Sequence, residues 1–137
     1  ASIALEQMKK LPKNLEWRRH IQKRYNEELF GIVEAPLFSE TVQHYVIRVS
    51  DEHRDNLIDY LSDKKIHTSV HYKPLHKHKV VSGMNQRDYP VANCEWKRII
   101  SIPCHAGVTD DDIDYVVYWI KQYFSEQKKP WWNSILK

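Results

Sequence analysis

Between Ile3 and Leu29 the apolar residues recur at helical spacing: Ile3, Ala4, Met8 and Leu11, then Leu15, Trp17, Ile21, Tyr25 and Leu29. A helix gathers such positions on one face, so residues 1–29 are expected to form a long, solvent-rimmed helix. Pro12 carries no N–H and crowds the preceding turn, which predicts a kink or break near the first third. Asn14 then stands where it could cap the second part, and Gly31 follows the last turn.

The next signal has a different period. In "QHYVIRVS", Tyr45, Ile47 and Val49 alternate with His44, Val46, Arg48 and Ser50, the pattern of a strand with one buried face. Asp51 is placed to cap the helix "EHRDNLIDYLSDKK", whose stripe is Leu57, Ile58 and Leu61. "IHTSVHY" reads as a second strand, "VANCEWKR" as a short helix, and "IISIPCHAG" as a third, apolar strand ending at Pro103. Thr109 and Asp112 make a variant of the capping box that opens "DDDIDYVVYWIKQYFSEQ", with Ile113, Val116, Val117, Ile120 and Phe124 facing inward. The polar stretch "SGMNQRDYP" around Gly83 is expected to be a surface loop. The result is an α/β domain of about three strands, with helices layered on one face. At 137 residues and 42% hydrophobic the chain suits one such domain.

Charge and cysteine content narrow the partners. Twenty-one basic residues against 18 acidic ones leave a formal +3. Because the charges are interspersed, no nucleic-acid partner is expected. Cys94 and Cys104 have neither CxxC spacing nor a secretory signal before them, and read as reduced thiols of a cytoplasmic protein. No apolar run nears the roughly 20 residues a bilayer requires, so no membrane partner is expected. The chain starts on Ala1, already in a helical pattern, which suggests a piece cut from something longer or a processed product.

Three histidines crowd "SVHYKPLHKH". Zinc wants three or four ligands converging on one point, but Pro74 bends the chain between His71 and His76, and no HExxH or paired CxxC motif is present. No metal site is therefore predicted, and hydrogen-bonded or surface histidines are the simpler reading. Cys104 and His105 are adjacent, which in a strand points them to opposite faces, so Cys104 reads as a core thiol in preference to a nucleophile. The basic aromatic tail, residues 126–137, mixes Lys128 and Lys129 with Trp131 and Trp132, and suits docking on a partner or neighbouring domain better than stacking of bases. Nucleotide-binding glycine loops and a GxSxG elbow are absent, so no catalytic residue is predicted.

Taken in order, these segments resemble the C-terminal small domain of the DegT/DnrJ/StrS aminotransferases, pyridoxal-phosphate (PLP) enzymes that aminate nucleotide-linked keto-sugars. The resemblance rests on "ASIALEQMKKL", on Arg18, Arg19, Ile21 and Tyr25, on "QHYVIRVS", on "RDNLIDYLSDKKIHTSVHYKPLH", and on "YPVAN" and "ISIPCHAGVTDDDIDYVV". It covers Ala1 to about Tyr123 and implies a largely antiparallel sheet, as in the C-terminal domain of fold-type I PLP transferases. Residues 1–125 would be that domain.

In the family the Schiff-base lysine and the phosphate cradle lie in a large domain. The resemblance therefore implies no cofactor-binding residue in this chain, PLP in the full-length enzyme, and a chain inactive alone. It also implies that His71, Tyr72 and His76 face a nucleotide-sugar substrate, with the large domain supplied in cis or in trans and a homo-oligomer as the assembly. The alternative is a free-standing descendant of the domain that binds a ligand or protein without chemistry. The loop from Val80 to Asp88 is expected to influence substrate choice but carries no readable code.

Overall fold

The computed structural model describes residues 2–37, 39–79 and 89–127. In chain order these form α1 (Ser2–Glu28), β1 (Tyr45–Arg48), α2 (Asp51–Asp63), a single 3-10 turn (Leu75–Lys77), α3 (Pro90–Trp96), β2 (Ile99–Ile102) and α4 (Asp110–Glu126). The tail from Lys128 and the loop 80–88 lie outside the described residues.

β1 and β2 pair antiparallel, with Tyr45 opposite Ile102, Val46 opposite Ser101, Ile47 opposite Ile100 and Arg48 opposite Ile99. Alternation then sorts the side chains. Tyr45, Ile47, Ile100 and Ile102 join the core with Ile21 and Tyr25 of α1, Leu57 and Leu61 of α2, and Ile113, Val116, Val117 and Ile120 of α4. Val46, Arg48 and Ser101 take the opposite, open face. The α/β architecture, a small antiparallel sheet backed by helices, is the one anticipated.

The expected strand "IHTSVHY" shrinks to one bridge. Ser69 exchanges two backbone hydrogen bonds with Ser101, N to O at 3.0 and 2.7 Å. Ile66 is the only buried residue of the segment, so the rest has no apolar face to hold it on the sheet. What precedes it is well defined. α2 closes with Lys65 N–H on Ser62 O and Ile66 N–H on Leu61 O, both at 2.9 Å, while Lys65 adopts φ +62°. This is the Schellman arrangement, and buried Ile66 and Leu61 supply its apolar contact.

Two helix starts differ from expectation. Pro12 lies inside a continuous α1 and does not end it, and Asn14 is mid-helix instead of a cap. The turns around Pro12 are exposed, so water can take the carbonyl that proline leaves without a donor. Ser50 is the cap residue of α2, with no side-chain cap bond, and Asp51 is its first helical residue. The Thr109–Asp112 capping box forms as read. The stripe of α4 ends on Tyr123, which is buried, while Phe124 is only partly so.

α1 has two unlike halves. Its second half is anchored: Trp17 Nε1 donates to Val108 O at 2.7 Å, Tyr25 Oη to Pro103 O at 3.0 Å, and Arg24 meets Asp110 and Asp114 of α4. Ile3, Leu5, Met8 and Leu11 of the first half are exposed. Among the described residues no helix is long and apolar enough to cross a membrane.

Candidate functional site

The open face of the sheet is closed off at one end and hollow at the other. At the closed end Arg48 is neutralised by Glu34 and by Glu95 of α3, at 2.7 Å for the latter, and Arg98 adds contacts to Glu95 at 3.4 Å and Glu34 at 3.8 Å. At the other end Arg18, His44, His67, His71, Ser101 and His105 surround a pocket of about 290 Å³. Among the described residues no Asp, Glu or Lys lines it.

His71 is held by three contacts. Its Nδ1 lies 2.8 Å from Ser101 Oγ, its ring stacks on His44 with centroids 3.9 Å apart, and Tyr72 meets its edge at 4.7 Å. The Ser69–Ser101 bridge brings this segment to β2, so the backbone pairing sets the imidazole over the serine hydroxyl. Burial of the ring face under His71, then the neighbouring charges of His71 and Arg18, hold His44 below the ordinary imidazole value. Tyr72 is exposed and borders His71 without itself lining the pocket. Its hydroxyl is available to a ligand.

His76 is placed differently. It is buried, bonds Asn93 Oδ1 of α3 at 2.9 Å through Nε2, and stacks on Tyr89 with centroids 4.8 Å apart. Its ring ties the 3-10 turn to α3, so the structure brings together His71 and Tyr72 and sets His76 behind them. His78 is exposed, with Nε2 3.3 Å from Lys73 O of its own loop. Among the described residues, no three His, Cys, Asp or Glu side chains converge as a metal site would require.

Cys104 also borders the pocket but is buried, and burial raises its thiol pKa, with Arg18 partly opposing. A protonated thiol is a poor nucleophile, and both cysteines are free. Sequence reasoning missed Arg18, His44 and Ser101 as pocket residues. For His44 and Ser101 the signal was parity, since both continue the non-core alternation of β1 and β2, whereas Arg18 on α1 carried no such signal.

Helices behind a two-stranded sheet, with a histidine-lined hollow on the open side, define a small α/β domain with one candidate ligand site. The model of the DegT/DnrJ/EryC1/StrS aminotransferase family matches residues 1–121, and the chain belongs to that family. It is 34% identical to the Methanocaldococcus jannaschii protein MJ1066 over 93% of this chain and 36% of that protein. It is 30% identical to the spore coat polysaccharide biosynthesis protein SpsC of Bacillus subtilis, over 85% of this chain and 34% of SpsC. Among solved structures, Spr1654 of Streptococcus pneumoniae in its PMP-form superposes with a TM-score of 0.80 at 28% identity, covering 86% of this chain and 32% of that one. The chain thus spans about a third of the length of these relatives.

Proposed function

We propose that this chain is the small-domain part of a PLP-dependent aminotransferase acting on nucleotide-linked keto-sugars, and that its open sheet face forms one wall of the substrate cleft. The observation that carries the reading is the hollow around His71, in a chain that makes up about a third of its family relatives. The name of SpsC, a polysaccharide biosynthesis protein, and the PMP-form of Spr1654 support the substrate class and the cofactor.

His71 and Tyr72 offer an imidazole and a phenol to sugar hydroxyls or phosphate oxygens. His76 completes the set by holding their loop against α3, and Pro74 stiffens the same loop. When bound, PLP supplies the aldehyde that carries the amino group. Among the described residues the pocket lining contains no lysine, so these side chains do not fit as the cofactor's covalent anchor. The lysine belongs to a large domain, in cis or in trans, within a cytoplasmic homo-oligomer, and the chain alone is inactive.

The test pairs this chain with a lysine-bearing large domain and measures turnover. His71→Ala and Tyr72→Phe should each raise KM for the nucleotide-sugar about fivefold, equivalent to one lost hydrogen bond, with a smaller change in kcat. Unchanged KM in both variants would overturn the cleft reading. A chain that binds the nucleotide-sugar fully without a large domain favours a free-standing binding module instead.

A further inference from the structure

The hollow on the open face has a chemical character that its histidines alone do not convey. Every charged or chargeable side chain of its rim is basic or a thiol, and no carboxylate is among them. Arg18, on the anchored half of α1, has no ion-pair partner among the described residues, although Arg19, Arg24, Arg48, Arg54 and Arg98 all do. Its Nη1 makes one long bond of 3.4 Å to Val42 O, and its Nε is buried without any hydrogen-bond partner. A guanidinium N–H shielded from water and left unpaired is costly unless something arrives to accept it.

The neighbouring groups are arranged as the rest of such a receptor. The Ser101 hydroxyl, buried beneath the pocket floor, fixes Nδ1 of His71 and leaves Nε2 uncommitted by that bond. His44 lies flat against His71, and Arg18 lines the same hollow. An anion between these groups would accept an N–H from the imidazoles and pair the guanidinium. At the opposite end of the same face, Glu34 and Glu95 do this for Arg48 and Arg98. At the Arg18 end no carboxylate among the described residues does so, which leaves that role open to a ligand.

We infer that Arg18, His44 and His71, with Ser101 as the group that positions His71, form an oxyanion-binding site. The inference rests on the cleft reading for the site's place in an enzyme, and adds to it Arg18 and His44, which the loop residues Tyr72 and His76 do not require. Two ligands of the proposed reaction class carry the needed chemistry: the phosphates of a nucleotide-sugar, and the carboxylates of an amino donor.

Inorganic phosphate and glutarate, titrated separately into the 137-residue chain while the imidazole C–H resonances are followed by proton NMR, test the site and separate its two sources. The His44 and His71 resonances should move saturably, with a dissociation constant of about 1 mM for the better anion. Tighter binding of phosphate assigns the site to the nucleotide, and tighter binding of glutarate to the donor. Arg18→Gln should weaken the better anion about tenfold, the loss of one charge-assisted contact. Because Arg18 also bonds the Val42 carbonyl, His44→Gln serves as a second variant, with folding checked by thermal melting, and should weaken binding severalfold.

Absence of saturable shifts with both anions, or wild-type affinity in both folded variants, would falsify the site. The experiment needs no turnover and no large domain. Anion binding that survives alongside an unchanged KM in His71→Ala and Tyr72→Phe would therefore sink the cleft reading while leaving the oxyanion site standing.

Discussion

The two faces of the sheet are built from the same eight strand residues and do opposite work. On the core face Tyr45, Ile47 and Ile100 are completely buried in a mainly apolar cluster, where the phenols of Tyr25 and Tyr45 donate to Pro103 O and Asn26 Oδ1. On the open face Val46, Arg48 and Ser101 meet charged groups, hydroxyls and imidazoles. Burial of apolar area holds the first face together, whereas the second is organised by directional contacts around a hollow. Apolar packing and the polar side of the hollow are thus separated largely by one residue of register, because a strand alternates its side chains.

The largest effect that tests this contrast is a truncation on each side. Ile47→Ala removes a wholly buried side chain and should cost about 3 kcal/mol in chemical denaturation, whereas Val46→Ala, half-buried on the open face, should cost under about 1 kcal/mol. Equal losses would break the comparison.

Next comes the phenol that links α1 to the end of β2. Tyr25→Phe leaves the Pro103 carbonyl without its donor and should cost about 1–2 kcal/mol. Burial raises the pKa of both Tyr25 and Tyr45 far above the ordinary value of about 10. Their neutral forms therefore contribute stability that is complete below pH ~10 and is lost as pH rises above it, where the unfolded phenols ionise. Alkaline unfolding followed by circular dichroism should be shallower in Tyr25→Phe. A slope identical to the parent would remove the tyrosine from the account.

A smaller change concerns α4, the helix behind the core face. Thr109→Ala should cost about 1 kcal/mol by loss of the cap. Hydrogen bonds from the Thr109 backbone and hydroxyl lower the Asp112 pKa. This contribution is present above the ordinary carboxylate value and disappears as pH falls through the lowered one. The gap between the parent and Thr109→Ala should therefore narrow at acid pH, leaving the part due to the Asp112 N–H bond to the Thr109 hydroxyl, and a gap unchanged by pH argues against the carboxylate.

The smallest effect lies where the chain leaves α2 for the open face. Lys65 carries a positive φ that glycine would adopt without strain, so Lys65→Gly should raise stability by about 0.5–1 kcal/mol in thermal melts. No gain would mean that the left-handed turn costs little at this position.

Much of the fold was legible because its signals are local. The period of α1, the alternation of β1, the stripe of α4 and the Thr109–Asp112 cap depend on residues a few positions apart, and all four are present. Pro12 misled because a proline disrupts a helix only as far as its freed carbonyl lacks another partner, and exposure supplies one. "IHTSVHY" misled because alternation shows that a strand is possible without showing how much sheet edge is there to receive it. Of the residues that line the hollow, "VHYKPLH" marked His71, and nothing local joined it to Arg18, His44 and Ser101.

Local chemistry, then, was enough to specify the helices, the strand faces and the family to which the chain belongs, because backbone periodicity and motif order survive in one dimension. Only folding decided that Arg18 of α1, His44 before β1, His71 after α2 and Ser101 of β2 share one hollow, and that His76 turns away from it toward Asn93. Those partners lie far apart in the chain, and their meeting is set by the antiparallel register and the packing of α1. Neither is encoded at any single position.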